Sequence, residues 1–214
     1  SIAIGSVVTA GIATGAPLVG GAVTINATSG AITVSEAIDT SEGSGGGISI
    51  LGSVIVDAPV TSGSGAIILN GNAAGDSDLE INASVTSSGG DVEIVNRRTI
   101  QVRAPVNNAG NGNTTIATFG GGDLTIAGPI TNGSEAAGGA GNITLQTAGD
   151  ADGDGTADGD ISIESDTTTY GGLRKEQETA DEGKADEGKI YVDAAGTISV
   201  DSGVTIRTGT GQMQ

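Results

Sequence analysis

The chain has 214 residues, of which 39 are glycine, and it carries 26 acidic against 8 basic side chains for a formal net charge of −18. Cysteine and histidine are both absent, which excludes disulfides, thiol chemistry, a zinc site built on those ligands and a histidine general base. The acidic balance also argues against nucleic acid and anionic membranes as partners, since both are bound through Lys and Arg. No apolar run is long enough to span a bilayer, so we expect no membrane insertion.

A short apolar pattern recurs from end to end of the chain. Its clearest copy is Asp91–Val106, where Val92 and Ile94 alternate with polar residues and Ile100 and Val102 repeat the alternation after a break. Alternation with a period of two indicates a strand that buries one face. Each unit therefore consists of a first strand, a turn, a second strand, a bend, one further apolar or small residue and a glycine-rich return. We call this unit a rung.

The second strand of the rung has eight copies, each with two apolar residues two positions apart and a further apolar or small residue four positions later. In chain order these copies are Ile2/Ile4/Val8, Ile32/Val34/Ile38, Val54/Val56/Val60, Leu79/Ile81/Val85, Ile100/Val102/Val106, Leu124/Ile126/Ile130, Ile161/Ile163/Thr167 and Ile198/Val200/Val204. First strands precede seven of them, at Val23/Ile25, Ile48/Ile50, Ile67/Leu69, Val92/Ile94, Thr114/Ile116, Ile143/Leu145 and Ile190/Val192. Constant spacing within the rung and variable loops between strands are typical of a repeat fold, because each rung buries its apolar face only against its neighbours.

The repeat predicts an all-β protein that forms a single domain over residues 1–214. We expect a right-handed parallel β-helix, or β-solenoid, of about seven to eight rungs, with successive strands about 4.8 Å apart. The right hand follows from the chirality of parallel crossovers. An antiparallel sandwich is the alternative fold, but it would show hairpin turns at regular short spacing and no common frame.

Two insertions widen the repeat, at residues 149–160 and 168–189. The second is polar and contains Ala-Asp-Glu-Gly-Lys twice in tandem. It is predicted to be a mobile surface loop with a turn or two of helix at 173–182, and a partner-binding arm is the functional alternative. Added loop length costs little closure entropy, so both insertions are compatible with an uninterrupted stack.

The first insertion contains the acidic run DADGDGTADGD, which follows the calcium-loop pattern D-x-D-x-D-G-x-x-D. The predicted Ca²⁺ ligands are Asp150, Asp152, Asp154, Thr156 through its backbone carbonyl, Asp158 and Asp160. Position 12, where an EF-hand has a bidentate Glu, is Ile161, which belongs to the core; Asp160 or a neighbouring rung must complete the shell. The alternative is a merely solvated acidic loop, although five carboxylates this close repel each other unless a cation lies among them. The loop resembles those of dockerins and thrombospondin type 3 repeats, since strands flank it.

Enzymatic chemistry has few candidates in this chain. Asp57, Glu80, Glu93 and Asp123 are the carboxylates beside regular strands, and a glycosidase or lyase needs two of them paired in a cleft. Nothing in the spacing selects such a pair, so we expect no enzyme, with a carbohydrate-active β-helix enzyme as the alternative. The basic cluster Arg97, Arg98 and Arg103 is expected to pair with Glu80, Asp91 or Glu93 on adjacent rungs rather than to bind an anionic ligand.

An ice- or mineral-binding surface is the other alternative, and it requires a flat rank of like residues. The threonines Thr24, Thr33, Thr115, Thr125 and Thr144 fall at unlike positions of the frame by our alignment. The sequence therefore does not predict a regular face of like residues that could bind ice or a mineral.

The pattern runs to both ends of the chain, with Ile2/Ile4 at one end and Val204/Ile206 at the other. Open strand ladders template pairing with another chain. We therefore expect either head-to-tail association of copies or continuation into neighbouring repeats of a longer chain. Residues 1–20 lack a basic segment and hold the first copy of the pattern, so we do not interpret them as a signal peptide.

Phrases such as Gly141-Asn142-Ile143-Thr144-Leu145 and Gly122-Asp123-Leu124-Thr125-Ile126 resemble the repeats of filamentous-haemagglutinin-type exoproteins and giant bacterial surface adhesins. The resemblance covers most of residues 20–207 and carries no catalytic motif. It implies a secreted, non-enzymatic β-helical shaft at the cell surface or outside the cell. Host surfaces, extracellular matrix and other copies of the chain are the partners that it implies.

Overall fold

The computed structural model describes residues 2–4, 8–9, 21–42, 45–71, 77–133, 140–150, 157–170 and 188–208, and these residues form 21 strands. In chain order the strands are β1 (Ile2–Ile4), β2 (Val8–Thr9), β3 (Val23–Val34), β4 (Ile38–Thr40), β5 (Ile48–Val56), β6 (Val60–Ser62), β7 (Ile67–Asn70), β8 (Leu79–Ile81), β9 (Val85–Ser87), β10 (Val92–Asn96), β11 (Ile100–Val102), β12 (Val106–Asn108), β13 (Thr114–Thr118), β14 (Leu124–Ile126), β15 (Ile130–Asn132), β16 (Ile143–Thr147), β17 (Ile161–Ile163), β18 (Thr167–Thr169), β19 (Ile190–Asp193), β20 (Ile198–Val200) and β21 (Ile206–Thr208). The described residues contain no helix of the length and apolarity that crossing a membrane requires.

The strands pair in parallel and form three ladders around one core. The first ladder runs β3-β5-β7-β10-β13-β16-β19, the second β1-β3-β5-β8-β11-β14-β17-β20 and the third β2-β4-β6-β9-β12-β15-β18-β21. Rungs two to eight thus each contribute to three faces, which we call the first, second and third face, and the described strands of rung one, β1 and β2, lie on the second and third faces. The predicted all-β parallel β-helix is confirmed, with eight rungs counted on the third ladder. The right hand of the coil stays a prediction.

The third face is the main feature that the sequence pattern missed. The single apolar or small residue predicted after the bend is in fact the first residue of a three-residue strand, as in Val60–Ser62 and Val106–Asn108. We name the connections accordingly: the first corner joins the first to the second strand of a rung. The second corner joins the second strand to the third, and the third corner leads to the next rung.

Two rungs differ from the predicted pair of short strands. β3 and β5 each run without interruption from the first face onto the second, and so join both ladders in one 13-stranded sheet. In β5 the first corner is reduced to Gly52, whose φ of +148° is available to glycine but not readily to other residues. In β3 the register of pairing with β5 shifts between Asn26 and Ala31, so an irregularity within the strand takes the place of the turn.

The position predicted for the third strand of the last rung is wrong by two residues. Thr167 pairs with Ile206, not with Val204. A turn occupies the extra length, in which the Val204 N–H donates to the Asp201 carbonyl over 3.2 Å. Gly203, with a φ of +90°, permits this reversal. The second corner of the last rung is therefore longer than the others.

The core is a column of stacked aliphatic side chains. The two inward residues of each second strand are 0 % exposed in rungs two to seven; they are Ile32, Val34, Val54, Val56, Leu79, Ile81, Ile100, Val102, Leu124, Ile126, Ile161 and Ile163. The residue between them points outward and is partly exposed, as the alternation predicts. Aliphatic residues fill this column without aromatic ones, because each rung needs only to contact the rung above and the rung below.

Candidate functional site

Buried polar side chains hold the first and third corners to the core. In the third corner, Thr40 Oγ1 donates to the Gly46 carbonyl (2.6 Å), and Ser62 Oγ to the Gly65 carbonyl (2.7 Å). Further residues at this position are Ser87, Asn108, Asn132 and Thr169, and each donates to a carbonyl of the loop beyond it or of a neighbouring loop. These bonds give the buried polar side chains a hydrogen-bond partner in the loops. Loops of different lengths can therefore leave the same strand end.

The neck of the first insertion lies at the first corner of rung seven and is closed in this way. Thr147, 3 % exposed, donates its hydroxyl to the Gly159 carbonyl over 2.6 Å and accepts the Ala195 N–H over 3.1 Å. The Asp158 N–H donates to the Gly149 carbonyl over 2.6 Å. Because Asp150 follows Gly149 directly, this bond brings the chain segments with the first and ninth positions of the calcium pattern side by side. A loop that binds one cation needs that convergence at its base.

The predicted Ca²⁺ ligands divide into a described base and a centre outside the described residues. Asp150, Asp158 and Asp160 belong to the base, and all three are at least partly exposed. Asp152, Asp154 and Thr156 lie outside the described residues. Within the described part of the chain, no three acidic side chains form a cluster that could hold a metal ion.

Asp160 has a second role that the sequence did not predict. Its Oδ1 accepts the Thr197 N–H of rung eight over 2.6 Å, and its own N–H donates to Asp123 Oδ1 of rung six over 2.9 Å. One carboxylate oxygen is thus used to join consecutive rungs. A ligand role for Asp160 would fall to its other oxygen.

The same ladder of side chains recurs at the third corner. Asp91 Oδ1 accepts the Asn113 N–H (2.7 Å), Asn113 Oδ1 accepts the Asn142 N–H (3.0 Å) and Asn142 Oδ1 accepts the Lys189 N–H (2.9 Å). Each of these residues comes directly before a first strand. The sequence signal was visible as Asp or Asn immediately before an apolar alternation, and it marks a rung-to-rung hydrogen bond rather than a catalytic site.

The carboxylate candidates for enzymatic chemistry are partly brought together, at the second corner. Asn82 donates its amide to Asp57 Oδ1 over 2.9 Å and to Glu80 Oε2 over 3.4 Å. Arg103 donates to the same Glu80 oxygen over 2.7 Å and also bonds Asn82 and Gln101, which confirms the predicted pairing of Arg103 with Glu80.

This network does not prepare a proton donor. The hydrogen bond from Arg103, followed by the one from Asn82, lowers the pKa of Glu80 below its ordinary value. A general acid of a glycosidase requires the opposite shift. The other two candidates lie apart from this pair: Glu93 is on the first face and Asp123 is in the first corner.

The threonines named in the sequence analysis lie on two faces, with Thr33 and Thr125 on the second face. Thr24, Thr115 and Thr144 share the outward position of the first face, and Thr115 pairs with Thr144. The third face has a longer rank, in which Thr61 pairs with Thr86 and, beyond Asn107, Thr131 pairs with Thr168.

The surroundings of the third-face rank carry no charged residue over rungs three to six, in residues 58–63, 83–89, 104–110 and 128–133. In a chain with a net charge of −18 this is a distinct surface. Thr also favours strands for its β-branched shape, which accounts for part of the rank.

The chain matches no protein-family model, and it has no significant similarity to a curated protein or to a solved structure.

Proposed function

We propose that the chain is a structural segment of an extracellular surface protein or filament, a β-solenoid shaft that separates other parts or binding surfaces. The observation that carries this proposal is the unbroken stack of eight rungs with one aliphatic core. A stack of this kind gives length and stiffness, because rungs two to eight are each fixed in three parallel ladders. Eight rungs at about 4.8 Å per rung give a shaft of roughly 38 Å.

The sequence style and the charge support a place outside the cell. The Gly-Asn/Asp-apolar-Thr-apolar phrases resemble repeats of filamentous-haemagglutinin-type exoproteins and surface adhesins, whose shafts are non-enzymatic. A net charge of −18 gives a strongly solvated surface and opposes binding to nucleic acid or anionic lipid. Host surfaces or extracellular matrix are the partners proposed for the whole adhesin.

Calcium is the cofactor of this proposal, held by the loop that contains Asp150–Asp160. The regular acidic spacing and the closed neck at Gly149 and Asp158 support it. With position 12 occupied by Ile161 and one Asp160 oxygen already bonded to Thr197, we expect a Kd on the order of 10⁻⁴–10⁻³ M, as in extracellular modules. Isothermal titration calorimetry should detect this site in the wild type and lose it in Asp152→Ala/Asp154→Ala; identical heats in both proteins would place the metal elsewhere.

The structural role is tested by the shape of the particle in solution and by assays for polysaccharide cleavage. Small-angle X-ray scattering should give an elongated particle with a constant cross-section, and panels of polysaccharides with and without Ca²⁺ should show no cleavage. Cleavage of any polymer that is lost on substitution of Asp57 or Glu80 would favour the carbohydrate-active alternative and contradict the structural assignment.

A second candidate, an ice- or mineral-binding surface, is favoured by the third-face rank of Thr61, Thr86, Thr131 and Thr168. Ice-recrystallisation inhibition by the wild type, lost in Thr86→Lys/Thr131→Lys and kept in Thr115→Lys/Thr144→Lys on the first face, would support it. Equal activity in the two variants, or none in the wild type, would remove it.

A further inference from the structure

The second strand of the last rung exposes the residue positions that the second strands below it bury. Ile198 and Val200 are 47 % and 46 % exposed, whereas Ile161 and Ile163, with which they pair, are 0 % exposed. In the described part of the chain, β19, β20 and β21 each have a strand neighbour on one side only. Open strand edges beside exposed aliphatic residues form a surface for the addition of a further strand.

The opposite end of the stack has the matching pattern. Within the described residues, β1, β2 and the first half of β3 also have a strand neighbour on one side only. Ile2 and Ile4 are in register with Ile32 and Val34, so they hold the same two positions as Ile198 and Val200 at the other end. Since all ladders are parallel, the first rung of one copy has the strand direction that the last rung of another copy requires.

We propose that a second copy of this chain adds its first rung to this end, with β1 on β20 and β2 on β21. Continued register places Ile2 beside Ile198 and Val8 beside Ile206. The contact is heterologous, so repetition produces an open filament rather than a closed dimer. This inference rests on the proposed structural role and names its partner.

The negative charge of the copies makes their association depend on salt concentration. Each copy carries a formal charge of −18, so copies repel one another at low ionic strength. Salt shortens the range of this repulsion to about 8–10 Å at 0.10–0.15 M and to about 3 Å at 1 M. Association should therefore increase with both protein and salt concentration, as expected for a contact made by backbone hydrogen bonds and apolar burial.

The register is tested by cysteine cross-linking, because the natural chain contains no cysteine. Ser199 is the central residue of β20, and Ala3 is the central residue of β1. The proposal places their Cα atoms about 4.8 Å apart in adjacent parallel strands, within the ~4.4–6.8 Å range of a disulfide. A mixture of Ser199→Cys and Ala3→Cys proteins under mild oxidation should give a covalent dimer. A mixture of Thr168→Cys and Ala3→Cys should not, since Thr168 lies between two paired strands.

A second pair of variants separates end-on stacking from other association. Val200→Lys should abolish concentration-dependent oligomers in sedimentation velocity and the disulfide, whereas Ser199→Lys in the same strand should retain at least half of the oligomer. Cross-linking that is equal in the test and control mixtures, oligomers that persist in Val200→Lys, or a wild type that is monomeric at 1 M salt would each overturn the proposal. A monomeric but elongated particle would overturn end-on stacking and leave the structural role in place. Cleavage of a polymer would overturn the structural role and leave end-on stacking in place.

Discussion

The second corner of the rung has a constant length over most of the stack, whereas the length of the first corner varies widely. In rungs two to seven the second corner always has three residues, from 35–37 to 164–166. The first corner ranges from the single bend at Gly52 in β5 to the 13 residues between Thr147 and Ile161. Insertions occur in the first and third corners, and the second corner stays short until the last rung.

Packing explains the difference between these corners. The central residue of the second corner is Ala58, Ala104 or Gly128 in three of the rungs, and all three are buried against the neighbouring rungs. The first corner instead rests on a polar side chain such as Thr118 or Thr147, which bonds a loop carbonyl and leaves the remaining loop outside the stack. In the three rungs whose second corner is packed in this way, packing constrains its length, whereas a corner that is held by one hydrogen bond accepts added residues. This is why the acidic insertion, which we propose binds calcium, lies in the first corner.

The largest expected effect comes from adding one methyl group to the packed corner. A Cβ at Gly128 would overlap with the backbone of Ala104 in the rung below, which cannot move without shifting that rung. We expect Gly128→Ala to lower the free energy of unfolding by about 2–3 kcal/mol, as overpacking does. Chemical denaturation measures it.

Gly89→Ala in the third corner is the matched control for Gly128→Ala. There the nearest atom to an added Cβ is the Ser64 Cα at 3.5 Å, an ordinary contact. Its free energy of unfolding should stay equal or rise by up to about 1 kcal/mol through loss of unfolded-state entropy. Equal destabilisation of both variants would contradict the distinction between corners.

Removing the polar residue that holds a variable corner should have the next largest effect. Thr147→Val keeps the shape of the side chain but leaves the Ala195 N–H without its partner and the Gly159 carbonyl with the Gly196 N–H alone. Buried groups left unsatisfied cost about 1–2 kcal/mol. Thr144→Val, at an outward position of the same strand, should change the midpoint of urea denaturation much less. A midpoint for Thr147→Val equal to that of Thr144→Val would show that the loop does not depend on the hydroxyl.

A smaller effect is expected at the surface of the second corner, where Arg103 bonds Glu80. The pKa of Glu80 is lower in the folded than in the unfolded chain, so this pair stabilises the fold above the unfolded pKa and loses that contribution as the pH falls through the folded pKa. Because both side chains are partly exposed, 47 % and 33 %, the contribution should be at most about 1 kcal/mol.

Arg103→Ala should therefore be less stable than the wild type at pH 7, and the difference should shrink at a pH below the folded pKa of Glu80, where only the bonds of Arg103 to Asn82 and Gln101 remain. Arg97→Ala, at an exposed position of the first corner, removes the same charge and is the control. A stability difference for Arg103→Ala that does not depend on pH would assign the effect to the packing of its side-chain stem.

The sequence was sufficient to predict the parallel β-helix, because Ile or Val at alternate positions can be counted without knowing the loops. It was not sufficient for the third face, since a three-residue strand such as Val60-Thr61-Ser62 shows one apolar residue and two polar ones. Its last residue points inward but is polar, because it donates a hydrogen bond to a loop carbonyl. The alternation of apolar and polar residues that would mark a strand is therefore missing. Val204 was misassigned for a related reason, as a two-residue lengthening at Gly203 is invisible when an apolar residue remains at the expected spacing.

The candidate site was predictable to a different degree. The Asp pattern at 150–158 is a local property of the chain, so its spacing could be recognised directly. The bond from Thr197 to Asp160 joins residues 37 positions apart and depends on the stacking register, which the pattern of one rung does not contain. The threonine rank of the third face was missed because that face itself was not predicted.

The claim that the acidic insertion in the first corner of rung seven binds calcium and stabilises the stack is tested most directly by thermal unfolding with Ca²⁺ against EGTA, on the wild type and on Asp152→Ala/Asp154→Ala. Binding to the folded form alone should stabilise the wild type by about 0.4 kcal/mol when free Ca²⁺ equals Kd, by about 1.4 kcal/mol at ten times Kd and by about 2.7 kcal/mol at a hundred times Kd. The account predicts that the wild-type Tm rises steadily with Ca²⁺ while the Tm of the double variant does not. A wild type that does not respond, or two proteins that respond equally, would contradict it.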